Sequence, residues 1–198
     1  YFIVENCAFI GNIESDDSGG ICGQHCGTNG HIIIKNCFSI NNISGSFSGG
    51  ICGSNIAYNG ICMIDSCYSN GDITGESSGG IVGSYFAQEG EGYIGNCYTT
   101  GDIRAIFSGG ISGSFTGYSG EVIIENSYSS GEIDFSTNVL GGICGYKAGN
   151  SGKCELKNTD AKGWNSRARA EGERAGEGKK ERARGKKKAG KGEKGGEK

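Results

Sequence analysis

Asn96-Cys97-Tyr98-Thr99-Thr100-Gly101-Asp102-Ile103 opens a unit that closes with Ser108-Gly109-Gly110-Ile111-Ser112-Gly113, and both halves return along the chain at a fixed interval. Cys7, Cys37, Cys67, Cys97 and Ser127 are each 30 residues apart, and the residues before them are Asn6, Asn36, Ser66, Asn96 and Asn126. The closing half repeats as Ser18 to Gly23, Ser48 to Gly53 and Ser78 to Gly83. It returns a fifth time as Gly141-Gly142-Ile143-Cys144-Gly145, 32 residues on. The two extra residues lie within Asp134 to Leu140, where a turn absorbs an insertion at little entropic cost. A sixth copy starts at Lys153-Cys154-Glu155-Leu156-Lys157-Asn158 and then stops matching. Self-similarity at such a period is the mark of a stacked-repeat architecture.

Each copy holds three short apolar stretches. The first is Phe2-Ile3-Val4 and its equivalents His31 to Ile34, Tyr93-Ile94 and Val122 to Ile124. The second centres on Ile13, Ile43, Ile73, Ile103 and Ile133, and the third on Ile21, Ile51, Ile81, Ile111 and Ile143. They are short and rich in β-branched residues, with Gly, Asn, Asp or Ser between them, which predicts strands. A helical repeat of this period needs two long amphipathic runs free of glycine, and no copy contains one. The expected fold is therefore all-β: a parallel β-helix or β-solenoid with three short strands per coil and about five coils over residues 1–160.

Stacking of coils at about 4.8 Å places equivalent residues above one another. The isoleucine columns become interior stacks, and the glycines stand at bends that need φ > 0 or leave no room for a Cβ. Asn6, Asn36, Asn96 and Asn126 are expected to form a ladder of side-chain amides. Strict strand alternation would point that column and the Ala8, Phe38, Tyr68, Tyr98, Tyr128 column inward, leaving cysteine outside. A bend at the asparagine reverses this, and it is the favoured reading because cysteine is among the most buried residue types while a tyrosine phenol tolerates water.

Composition agrees with an unusual core: 198 residues include 40 glycines, no proline and one methionine. The chain starts at Tyr1 without an initiator Met, a basic n-region or an apolar h-region, which reads as a fragment, expected to belong to a longer repeat array. No apolar run approaches the roughly 20 residues that span a bilayer, so no membrane span is expected. The net charge of −3 averages two unlike parts. Residues 1–160 hold 5 Lys/Arg against 16 Asp/Glu, net −11, whereas residues 161–198 hold 14 against 6, net +8. An acidic body whose cations are only Lys35, Arg104, Lys147, Lys153 and Lys157 offers no stripe for phosphates, which excludes nucleic acid as the solenoid's main ligand. The tail from about Ala161 consists almost wholly of Ala, Gly, Glu, Lys and Arg without apolar periodicity, and is expected to be a disordered low-complexity extension or a read-through product.

The run Asn96 to Gly113, nearly repeated at Ser66 to Gly83, resembles the GLUG motif repeats over about residues 1–158. That family occurs in bacterial cell-surface adhesins, in non-catalytic regions of large secreted proteases, and in proteins of large DNA viruses and some protists. The resemblance implies an extracellular or cell-surface, adhesin-like β-solenoid segment of a longer protein. The fifth copy departs from the pattern at Ser127 and in its two-residue insertion.

Ten cysteines raise disulfide and metal readings. Seven of them, Cys7, Cys37, Cys67, Cys97 and Cys22, Cys52, Cys144, fall in two columns in which Val82, Ser112 and Ser127 also serve, so the columns ask for a small buriable residue and free thiols are expected. Cys22-Gly23-Gln24-His25-Cys26 is the one Cys/His cluster and would hold zinc only with a further ligand from Cys7 or Cys52; it occurs in a single copy, and no metal or other cofactor is expected. Asp72 and Asp102, in one column with Asn12, Asn42 and Glu132 and beside Arg104, are the carboxylates a carbohydrate-active β-helix enzyme, a lyase or hydrolase, would use. The competing reading is a solvated column at a Gly-Asp turn. After each Gly-Gly-Ile-x-Gly the sequence varies most, and there Tyr58, Tyr85, Phe86, Phe115, Tyr118 and Tyr146 are candidates for a strip that stacks on sugar rings or grips a protein partner. The functional expectation is a non-catalytic adhesive or structural rod, with carbohydrate or a host or cell-surface protein as partner.

Overall fold

The computed structural model describes residues 1–134 and 139–162, and among them there is no helix. Residues 135–138 and 163–198 lie outside the described residues, and with the latter the expectation of a disordered tail. The first coil contributes β1 (Phe2–Glu5) and β2 (Ala8–Ile10), the second β3 (His31–Lys35) and β4 (Phe38–Ile40), the third β5 (Ile61–Asp65) and β6 (Tyr68–Asn70). The fourth gives β7 (Glu91–Gly95) and β8 (Tyr98–Thr99), the fifth β9 (Glu121–Glu125) and β10 (Tyr128–Ser129), and the sixth start β11 (Lys153–Lys157) and β12 (Asp160–Ala161). Odd-numbered strands form one parallel sheet and even-numbered strands another, each strand beside its equivalent in the next coil. Register follows the sequence repeat, Ile32 pairing with Cys62, Cys62 with Gly92 and Gly92 with Val122, and the 32-residue step is absorbed before Val122 meets Cys154. The chain is a parallel β-solenoid of about five turns.

Two sides of each coil are strands and the rest is not. The Ile13 column and the Gly19 and Cys22 columns meet their neighbours through single parallel bridges. The second and third expected strands, at the Ile13 and Ile21 columns, are thus reduced to isolated pairings, and the second regular strand of each coil stands instead just after the asparagine bend, at Ala8–Ile10 and its equivalents. Main-chain bonding still runs from coil to coil there: Ile43 N–H donates to Asp72 O, and Ser44 N–H to Ile13 O.

The three isoleucine columns expected inside are interior. Ile34, Ile64, Ile94 and Ile124 and the Ile51, Ile81, Ile111 column are fully buried in the main core, each contributing about 2–3 kcal/mol relative to exposure. Ile13, Ile43, Ile73, Ile103 and Ile133 form a second, separate core. The coil is pinched between them, for a Cβ on Gly50 would collide with Ser69 Oγ and one on Gly110 with Ser129 Oγ. These glycines are required by close approach, not by a left-handed backbone.

At the pinch lies a feature invisible in the repeat pattern, a ladder of buried serines. Ser48 N–H donates to Ser78 Oγ and Ser78 N–H to Ser108 Oγ, both at 3.1 Å. Each hydroxyl donates back to a carbonyl of the preceding coil, Ser78 Oγ to Gly45 O and Ser108 Oγ to Gly75 O, both at 3.0 Å.

The bend after the first strand is left-handed at Asn6, Asn36, Ser66, Asn96, Asn126 and Asn158. Asparagine tolerates that region better than most residues. The reversal turns Cys37, Cys67 and Cys97 into the core and Phe38, Tyr98 and Tyr128 out to solvent. The asparagines themselves are exposed, and among the described residues the column's amide-to-amide contact is Asn158 Nδ2 to Asn126 Oδ1 at 3.4 Å. The expected amide ladder is therefore replaced by a backbone role. What closes the bend is the next side chain: Cys37 Sγ donates to Lys35 O, Cys97 Sγ to Gly95 O, and Ser127 Oγ to Glu125 O. A hydroxyl does the work of a thiol there, which explains Ser127 in a cysteine column.

Candidate binding surface

The variable segment after each Gly-Gly-Ile-x-Gly is a side of the coil and not a projecting loop. Its backbone is left-handed at every second residue, as at Asn55, Ala57 and Asn59 and at Tyr85, Ala87 and Glu89. These residues donate alternately forward and backward, Asn55 N–H to Ser84 O, Ala57 N–H to Cys26 O and Asn59 N–H to Gln88 O. Between the first two of each set, Ile56 and Phe86 point inward. Phe86, a candidate for the binding strip, is one of them: it is 0 % exposed, in the main core, and is withdrawn from the surface. Its place inside follows from Gly92, whose missing side chain leaves the space the ring occupies, a Cβ there falling 2.5 Å from Phe86 Cε1.

Tyr85 and Phe115 are half-buried and stack with centroids 4.8 Å apart and planes 1° from parallel. Tyr118 meets both edge-on, and Tyr146 meets Phe115 edge-on. Lys147 Nζ stands 5.8 Å from the Phe115 centroid and 5.1 Å from that of Tyr146. Tyr58 is apart, its hydroxyl donating to Glu89 Oε2 at 3.2 Å, and the carboxylate raises its pKa. Because the rings stack along the solenoid axis at the coil spacing, Tyr85 and Phe115 each give one face to the other. What they offer solvent is mainly ring edges beside a lysine ammonium. A second ladder, unassigned in the reading of candidate sites, runs along the outer face of the even-numbered strands: Tyr68 to Tyr98 at 4.3 Å and Tyr98 to Tyr128 at 5.3 Å. Its column was visible in the repeat, and the bend at asparagine turns it outward.

The carboxylate column is structurally employed. Asn42 Oδ1 accepts Asp72 N–H, Asp72 Oδ1 accepts Asp102 N–H at 3.1 Å, and Asp102 Oδ1 accepts Glu132 N–H at 2.7 Å. Arg104 bridges Asp102 and Asp72. Partial burial opposes ionisation of Asp102, but the Arg104 guanidinium and the Glu132 N–H outweigh it and hold its carboxyl below the usual range. A carboxylate so held is a poor proton donor near neutrality.

Six of the ten cysteines are buried, and Cys7, Cys26, Cys144 and Cys154 are partly exposed. Cys52 and Cys62 are buried, and burial pushes the Cys52 thiol up to about 11 and Cys62 well above its ordinary value. The Cys26 contact lowers the pKa of Cys22, but Cys52 and burial prevail and push it up to about 12. His25 is exposed on the outside of its turn, away from this cluster, and no group of three or more His, Cys, Asp or Glu among the described residues could hold a metal ion. Cys144 and Cys154, half-exposed, lie with Sγ atoms 3.9 Å apart; their shared bond and burial raise Cys144 and the same bond lowers Cys154.

An open groove of about 730 Å³ follows the corner where the variable segment enters the odd-numbered strands. Its floor is Gly30, Gly60, Gly90, Gly120 and Gly152. A Cβ on Gly60 would collide with Gly27 O of the preceding coil, so this glycine row is set by the stacking itself.

Fold and surface together define a parallel β-solenoid whose polar ladders close internally and whose outer faces repeat aromatic and charged residues at coil spacing. No family model, no curated protein and no solved structure matches the chain.

Proposed function

We propose that the solenoid is a non-catalytic rod module of a surface or secreted protein, of the GLUG type, adhesive through its repeated outer face toward a carbohydrate or protein partner. The observation that carries this reading is the gathering of Tyr85, Phe115, Tyr118 and Tyr146 from successive coils into one half-exposed cluster capped by Lys147. Tyrosine is among the residues most enriched at binding hot spots, and a cation beside the rings adds local attraction for anionic groups. Ring edges and an ammonium favour a partner that brings acceptor oxygens, such as an acidic glycan or an acidic protein patch. A carbohydrate-active enzyme working at Asp72 and Asp102 is the weaker reading, since both carboxylates accept main-chain N–H groups and share Arg104.

The test is a glycan-array and cell-surface binding screen on the full chain, with Tyr85→Ala combined with Phe115→Ala as comparison. Saturable binding lost in the variant, with an unchanged β-sheet circular dichroism spectrum, supports adhesion through the cluster. Binding retained by the variant removes the cluster from the account. Silence from the folded wild-type chain leaves a spacer, and turnover of a bound glycan revives the enzyme.

A further inference from the structure

The outer face of the odd-numbered sheet carries Ile33, Met63, Tyr93 and Ile123 in one half-exposed row, led by Ile3 at 49 % exposure and closed by Glu155, which Lys153 and Lys157 pair. Between Met63, Tyr93 and Ile123 the face dips into an apolar depression of about 260 Å³. On one flank of the row the same sheet displays Glu5, Lys35, Asp65, Gly95, Glu125 and Lys157 in coil order. Tyr93 lies across Gly95, where a Cβ would be 2.6 Å from the ring, and its hydroxyl donates to Glu125 Oε1 at 2.7 Å. A flat apolar row on a regular parallel sheet is a surface that a second layer covers.

We propose that this face pairs with the same face of a second copy of the chain, with the coil order of the two copies opposed. The charge order selects that arrangement. A twofold axis along the strands, between β5 and β7, sets Lys35 opposite Glu125 and Glu5 opposite Lys157 of the second copy. It sets Asp65 opposite Gly95, so no like charges meet on that flank. On the other flank His31 falls opposite Glu121, Tyr1 opposite Lys153 and Ile61 opposite Glu91, again with no like charges facing. The centre of the row then meets itself, Ile33 against Ile123 and Met63 against Tyr93 at the depression, while at the rim Ile3 falls opposite Glu155, whose charge Lys153 and Lys157 already pair. A twofold along the solenoid axis would instead set Glu121 against Glu125 and Lys153 against Lys157, a repulsive pairing at both positions.

Six strands about 4.8 Å apart and five residues long present about 450 Å² per copy. That is roughly half the ~800 Å² a standard interface takes from each partner, so the dimer is a weak one, expected in the range of tens to hundreds of micromolar.

The experiment is sedimentation equilibrium on the full chain from tens to hundreds of micromolar, with carbodiimide cross-linking mapped by mass spectrometry. A reversible monomer–dimer equilibrium is expected, with cross-links Lys35 to Glu125 and Glu5 to Lys157. Lys35 and Glu125 lie three coils apart, about 14 Å within one chain, so a zero-length bond between them reports contact between copies. Met63→Glu sets a carboxylate against the partner's Tyr93 ring and beside Glu125, and should weaken the dimer at least tenfold with an unchanged circular dichroism spectrum. A chain that stays monomeric at hundreds of micromolar overturns the proposal. So does a dimer indifferent to Met63→Glu, or one whose cross-links lack both named pairs.

Discussion

Gly92 is the position at which the repeat pattern and the packing can be separated by a change of sign. Across the first four coils the inward pair facing it in sequence order reads Cys26 with Ile32, Ile56 with Cys62, Phe86 with Gly92, and Thr116 with Val122. Each of these eight but Cys26 and Gly92 is fully or nearly fully buried. The pairs trade volume: where one member grows the other shrinks, and the Phe86 ring fills the space a Cβ on Gly92 would enter, 2.5 Å from Cε1 and 2.9 Å from Ala87 Cβ. Replacing a strand glycine by alanine ordinarily gains about 0.5–1 kcal/mol through chain entropy. Here Gly92→Ala forces a ring with no room to retreat, and overpacking costs about 1–3 kcal/mol, so the variant should be destabilised. Phe86→Ile, which copies the second coil, leaves a void and should cost about 1–3 kcal/mol by itself. In that background the Cβ of Gly92→Ala enters the vacated space, next to an alanine at 87 as Cys62 lies next to Ala57. The second substitution should then stabilise. Urea denaturation of the wild type, both single variants and the double variant measures the cycle, and a favourable coupling of at least about 1 kcal/mol is expected. Additive effects within about 0.5 kcal/mol would refute compensation as the reason for glycine at this site.

Two serines in neighbouring columns should respond in opposite directions. Ser78→Ala leaves Ser48 N–H and Gly45 O without their buried partner and should cost about 2–3 kcal/mol, whereas Ser69 Oγ is buried with no partner and Ser69→Ala should stabilise by about 1 kcal/mol; thermal melts read both. Exposure of the chain to an oxidised low-molecular-weight disulfide should join Cys144 Sγ to Cys154 Sγ before any other pair, the two thiols giving up two electrons and two protons as the reagent leaves as two thiols. Alkylation followed by peptide mass mapping checks it, and a bond formed first at Cys67 and Cys97, whose core positions exclude reagent, would contradict it.

The period, the strand order and the inward isoleucines were readable because a solenoid writes its core into columns, and a column survives substitution of single members. The orientation of cysteine and tyrosine after the first strand was readable only through the physical preference of Asn96 and its equivalents for a bend. The burial of Phe86 was not readable from its own position. Its column also holds Cys26, Ile56 and Thr116, and its direction is set by the alternating left-handed backbone from Tyr85 to Glu89, which gives no periodic signal in residue type. The serine ladder was likewise hidden, since Ser18, Ser48, Ser78 and Ser108 look like turn residues before glycine until their hydroxyls are seen to bond one coil to the next. The Asp72 and Asp102 column shows the reverse case. Its carboxylates are adjacent as the spacing predicts, but their lone pairs are taken by main-chain donors that no column of side chains displays.

The serine ladder has a direction. From Ser48 on, each hydroxyl accepts from, and donates to, the coil made before it, so a nascent coil emerging from the ribosome holds an unlatched amide and carbonyl until its successor is synthesised. Growth during translation is then a ratchet: each new turn fastens the one behind it, and the most recent turn is always the loosest. A chain released early would fray from its C-terminal end while its first turns stayed locked.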